Sequence, residues 1–139
     1  MVNVTPLFVS WQLSNRIYTV SFLGHLSRES VLSEYQKADI FVLPSLDEGM
    51  SNSLLEAMAC GLPVLTTDAG DNARLVVSGA QGLVVPSANE KALADGLQRL
   101  LKDTEGLSHM AKASRQSALD WTWDTVAKQY IELFKLSPI

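Results

Sequence analysis

The segment "DIFVLPSLDEGMSNSLLEAMACGLPVLTT", residues 39–67, restricts the fold more than any other part of the chain. It opens on a continuous apolar run stopped by Pro44 and closes on a second one, "PVLTT". Runs that short, with no polar alternation, suit strands buried on both faces. Between them "SNSLLEAMAC" has helical periodicity and ends at Gly61. A strand, a helix and a second buried strand in so few residues indicate an α/β domain with a mainly parallel sheet.

The rest of the chain extends that pattern. Residues 17–23, "IYTVSFL", are rich in β-branched and aromatic residues and end at Gly24, which predicts a strand. "SRESVLSEYQKA" predicts a short helix capped by Ser27, with Val31, Leu32, Tyr35 and Ala38 on one face. "GLVVP" predicts one more short strand. Ser87 and Glu90 have capping-box spacing, and Leu93, Leu97, Leu100 and Leu101 then recur at helical intervals. A weaker helical pattern covers residues 105–118. In the last segment Trp123, Val126, Ala127, Tyr130, Ile131 and Phe134 fall on one helical stripe. The first sixteen residues read as an irregular lead-in or an edge strand, because Pro6 interrupts their strand-like composition.

Composition excludes several roles. With 139 residues, 47% of them hydrophobic, the chain can build one domain with a real core. A formal charge of −4 offers no global attraction to nucleic acid or anionic lipid, so any phosphate must be held by local geometry. The single cysteine, Cys60, cannot form an internal disulfide, and a reducing, cytoplasmic setting follows as the expectation. No apolar run approaches the roughly 18–20 residues of a membrane-spanning helix.

The chemistry centres on Glu48 and Glu56, with seven residues between them. In an open parallel sheet, ligands collect at the carboxyl ends of the strands, where the loop "SLDEGMSN" would lie. The helix that follows offers free N–H groups and a partial positive charge to an anion. Gly49 permits close backbone approach, and Ser51, Asn52 and Ser53 supply small polar groups. Helical side chains lean toward the N-terminus, so the Glu56 carboxylate can reach something bound beside a phosphate. A carboxylate there needs hydroxyl donors, and a ribose diol supplies them. On spacing alone, a solvated Glu48 and an exposed Glu56 remain the simpler account.

The block "FLGHLSRESVLSEYQKADIFVLPSLDEGMSNSLLEAMACGLPVLTTDAG", with its Glu-x7-Glu motif, resembles the core of the retaining glycosyltransferases of family 4. "GLVVPSANEKALADGLQRLL" is similar to a further segment of that family, and Trp121 and Trp123 resemble the aromatic start of its C-terminal crossing helix. The resemblance covers roughly residues 17–136 and implies the C-terminal, donor-binding half of a GT-B fold: a Rossmann-like parallel sheet flanked by helices, truncated at its N-terminal edge. It implies one nucleotide-sugar-binding domain over residues 1–139, with residues 119–136 as the crossing helix.

The activity implied is transfer of a hexosyl group from a nucleoside-diphosphate sugar to a glycan or lipid-linked acceptor, as in polysaccharide biosynthesis. By the same resemblance Glu48 meets the transferred sugar and Glu56 the ribose. Gly49, Met50, Ser51 and Asn52 receive sugar hydroxyls and pyrophosphate, Gly24 and His25 lie near the base, and Leu83 and Val84 help enclose the nucleotide. No metal or other cofactor is implied. The partners expected are the donor and a separate N-terminal acceptor domain, without nucleic acid. The full-length enzyme is expected in the cytoplasm or at the inner face of the membrane.

The chain departs from the family in two places. It reads Gly49-Met50-Ser51 where members often carry "GFG", and it has Arg74 where many have an acidic residue. No segment resembles the family's first strand of this domain or its basic residue for the pyrophosphate. A sheet lacking that strand leaves an edge that residues 2–9 or a homodimer would fill. Arg28 and Arg74 could substitute for the basic residue, with solvated arginines as the simpler alternative. His25 receives no catalytic role, and Cys60 reads as a small buried hydrophobe. Trp121, Trp123, Tyr130 and Phe134 suit core or interdomain packing. The rival reading of the whole chain is a stand-alone, non-catalytic module that binds a nucleotide or a partner chain.

Overall fold

The computed structural model describes residues 22–136. After an irregular start, α1 spans Arg28–Lys37, β1 Phe41–Leu43, α2 Asn52–Ala59 and β2 Val64–Thr67. A one-turn α3 spans Asn72–Leu75, followed by β3 at Gly82–Val85, α4 at Glu90–Lys102 and α5 at Thr104–Ala118. A 3₁₀ turn over Leu119–Trp121 leads into α6, Trp123–Leu136. The strands form one parallel sheet in the order β1-β2-β3, with Phe41 opposite Val64 and Val64 opposite Gly82.

β2 explains the layering. Each of its four residues is buried, and successive side chains of a strand point to opposite faces. Val64 joins a cluster with Tyr35, Phe41, Leu54, Ala57, Met58, Leu75 and Val76, contributed by α1, β1, α2 and the α3 turn. Leu65 joins the opposite cluster, with Leu83, Leu100 and Met110 from β3, α4 and α5. Helices therefore cover both faces, and α5 packs on α2 as well as α4. This is the flanked parallel sheet that the alternating apolar runs predict. Gly61 ends α2 at φ 79°, a left-handed turn that returns the chain to Pro63, whose carbonyl accepts from the Phe41 N–H at 2.9 Å.

Two expectations need correction. Ser87 and Glu90 do not cap α4. Asn89 does, its Oδ1 accepting from the Ala92 N–H at 2.9 Å, while the Ser87 N–H is used elsewhere. Asparagine caps as well as serine, and Ala88 at φ 54° turns the chain so that Asn89 meets the helix start. Phe22 and Leu23, the end of the first predicted strand, are exposed and lie in no strand. Residues 17–21 of that strand, and the reading of residues 1–16, fall outside the described residues.

For α6, where core and interdomain packing were both expected of the aromatic residues, the structure separates the two. The helix is as predicted, but Trp123 is 87% exposed and Phe134 77%, with Tyr130 and Ile131 also exposed. That stripe is therefore not core of this domain, whereas Trp121 does pack partly against the first cluster.

Candidate functional site

The site is built from three loops at the carboxyl ends of the strands. After β1, Pro44 ends the ladder and the chain turns through residues 45–50 into α2. Two threonines closing β2 hold this loop with their side chains. Thr66 Oγ1 donates to the Leu43 carbonyl at 3.1 Å, and Thr67 Oγ1 donates to the Ser45 carbonyl at 2.6 Å. Both threonines are buried, and their hydroxyls find acceptors in the Leu43 and Ser45 carbonyls.

Glu48 is then fixed from two sides. The Ser45 hydroxyl donates to Glu48 Oε2 at 2.7 Å. Gly70, at φ 55°, lies directly on the Glu48 backbone, where a β-carbon would stand 1.7 Å from its carbonyl oxygen. The third loop is tied in through Asp68, whose N–H donates to the Val85 carbonyl at 3.0 Å and whose Oδ1 accepts from the Ser87 N–H at 2.7 Å. The loops after β1, β2 and β3 thus form one hydrogen-bonded rim.

α2 starts on this rim. Ser51 is buried and caps the helix, its Oγ accepting from the Leu54 N–H at 3.4 Å and lying 3.0 Å from Ser53 Oγ. Gly49, Met50 and Asn52 are exposed beside it. The first N–H groups of a helix have no partner within it, so the rim presents donors to an anion. Glu56, one turn along, is exposed. Its charge reaches the buried Tyr35 hydroxyl: burial first, then Glu56 and Cys60, push that hydroxyl up to about 12. Tyr35 packs edge-on against Phe41, ring centres 5.7 Å apart.

The remaining candidates are placed as follows. Gly24 and His25 are exposed on the lead-in to α1, and Gly24 has φ 65°. Leu83 is buried in the second core cluster, and Val84, level with Thr66 of β2, is half-buried against the first. Arg74 pairs with Asp71 on the surface at 3.0 Å, and Arg28 is exposed in the first turn of α1. Cys60 is half-buried against the first cluster, its thiol pushed up mainly by burial, as for a structural cysteine. The sequence reading missed Ser45, Thr66, Thr67 and Gly70. Their signal was present: a small hydroxyl residue directly after a strand-ending proline, and two threonines closing an apolar run before a glycine.

The comparisons with known proteins agree with this architecture. The family model for glycosyl transferases group 1 matches residues 13–117. A D-inositol 3-phosphate glycosyltransferase from Corynebacterium urealyticum is 37% identical over 119 residues, covering 86% of this chain and 28% of its own. An α-1,3-N-acetylgalactosaminyltransferase of Campylobacter jejuni, acting on N,N′-diacetylbacillosaminyl-diphospho-undecaprenol, is 33% identical over 83% of this chain and 30% of its own.

Among solved structures, the sucrose-phosphate synthase of Thermosynechococcus elongatus superposes with TM-score 0.76 at 32% identity, covering 84% of this chain and 29% of its own. Anabaena HepE in complex with UDP does so with TM-score 0.64 at 25% identity, over 73% and 28%. The chain thus spans less than a third of the length of these relatives, and the matched parts are their C-terminal portions. This chain belongs to the glycosyl transferases group 1 and has the Rossmann-like fold of the C-terminal half of their GT-B architecture.

Proposed function

We propose that the three-loop rim binds the nucleoside-diphosphate sugar donor of a retaining hexosyltransferase. The observation that carries this reading is the pairing of an anchored Glu48 in the loop with an exposed Glu56 one turn into α2. Between them lie the first amides of α2, which have no partner within the helix, flanked by Gly49, Met50, Ser51 and Asn52. The diphosphate takes those amides, Glu56 accepts from the ribose hydroxyls, and Glu48 faces the sugar. Gly24 and His25 on one side and Val84 on the other stand toward the nucleoside, while Leu83 packs in the second core cluster. As the glycosidic bond breaks, the helix end stabilises the departing diphosphate and Glu48 stabilises positive charge growing on the sugar. No metal enters this reading, because amides carry the phosphate charge. HepE, a relative by fold with UDP bound, supports the nucleotide class.

Transfer also needs an acceptor held against the donor and water kept out. We assign the acceptor to the part of the longer relatives outside this chain, and the exposed stripe of α6 to packing against that part. The 139 residues alone should bind donor weakly, at roughly millimolar affinity, and transfer nothing. Titrating the chain with UDP, UDP-glucose, GDP and GDP-mannose, followed by amide chemical shifts, tests this. Saturable shifts in the loops after β1 and β3, unchanged by a chelator, are expected, with no acceptor-dependent product. Shifts confined elsewhere, or none with any of the four, contradict the reading.

A further inference from the structure

We propose that Thr67, Ser45 and Gly70 form a positioning device that presets the Glu48 carboxylate for the sugar; the proposal rests on Glu48 being the sugar-facing group. Two contacts converge on Glu48, and a third holds its anchor Ser45. The Ser45 hydroxyl donates to Oε2 at 2.7 Å, the short distance of a bond to a charged acceptor. Thr67, only 4% exposed, donates to the Ser45 carbonyl at 2.6 Å and so fixes the residue that fixes Glu48. Gly70 lies against the Glu48 carbonyl at a distance no other residue type could tolerate.

A loop carboxylate serving only solubility needs none of this. Elsewhere on the surface, Asp71, Asp95 and Glu132 are held only by a neighbouring Arg or Lys on their own helix or turn. At Glu48 the backbone and one carboxylate oxygen are held, and no hydrogen bond among the described residues takes Oε1. One oxygen is thus anchored and the other is left for a ligand, which is preorganisation in the sense that the ordering is complete before binding. Thr67 sits at the end of a fully buried strand, so the device is referenced to the sheet.

The test measures how much the sugar adds to nucleotide affinity. Dissociation constants for UDP and UDP-glucose, and for GDP and GDP-mannose, are determined with the wild type, Ser45→Ala, Thr67→Val and the hydroxyl-keeping Ser45→Thr and Thr67→Ser. The sugar gain should fall about tenfold in Ser45→Ala and Thr67→Val, the loss expected for one bond to a charged group. Affinity for the bare nucleotide should stay within about twofold, and Ser45→Thr and Thr67→Ser should restore the gain. Equal losses for nucleotide and nucleotide sugar, or no loss, overturn the proposal. A wild type that binds nucleotide with no gain from either sugar also overturns it, while the nucleotide site stands. A wild type that binds no nucleotide overturns the functional reading itself.

Discussion

Tyr35 shows how single residues tie the site to the core. Its ring is buried in the first cluster, while its hydroxyl lies within reach of the Glu56 charge. Burial and that charge favour the neutral form, raising the hydroxyl from the ordinary 10.0 to about 12. Between those values the unfolded chain loses the proton and the folded chain keeps it. Stability from Tyr35 is therefore complete below pH 10 and is lost as pH rises toward 12. Urea midpoints measured across that range should fall more steeply for the wild type than for Tyr35→Phe. Parallel profiles would contradict the buried, raised hydroxyl. At this scale the sequence was legible where a residue's role is local, as at the Ser51 cap. It was illegible where the role depends on a partner distant in sequence. Thr67 meets Ser45 and Gly70 meets Glu48 only once two strands lie side by side.

Among the elements, β2 and α6 are opposites. β2 is a short apolar run whose four residues are all buried, and period-2 reasoning recovers both faces it serves. α6 carries an equally clear apolar stripe, yet its largest side chains are exposed. Periodicity reveals that a face is apolar and not what covers it. The two elements should respond differently to truncation. Leu65→Ala removes a fully buried side chain from the second cluster and should cost about 2–5 kcal/mol in urea unfolding. Trp123→Ala and Phe134→Ala should stay within about 0.5 kcal/mol. A large loss from either aromatic substitution would show that α6 packs within this domain. The start of α4 taught a smaller lesson: Ser87 and Asn89 are both good caps, and the chain turn at Ala88 selects the second.

For the molecule as a whole, a three-stranded parallel sheet with helices on both faces brings three loops to one end and ties them together with buried hydroxyls and Asp68. The chain belongs to the glycosyl transferases group 1. The donor site at these loops is our proposal. Among the described residues no helix is long and apolar enough to cross a membrane. We propose that the rim reads a nucleotide by its ribose through Glu56 and by its phosphates through the start of α2. The most direct test is calorimetric titration of the wild type and Glu56→Gln with UDP, GDP and inorganic pyrophosphate. Losing a charge-assisted bond of roughly 1.5–3 kcal/mol should weaken the better-bound nucleotide about tenfold or more. Pyrophosphate, which has no hydroxyls for Glu56 to accept from, should bind no more weakly than before. Equal losses for the nucleotide and for pyrophosphate would contradict the account.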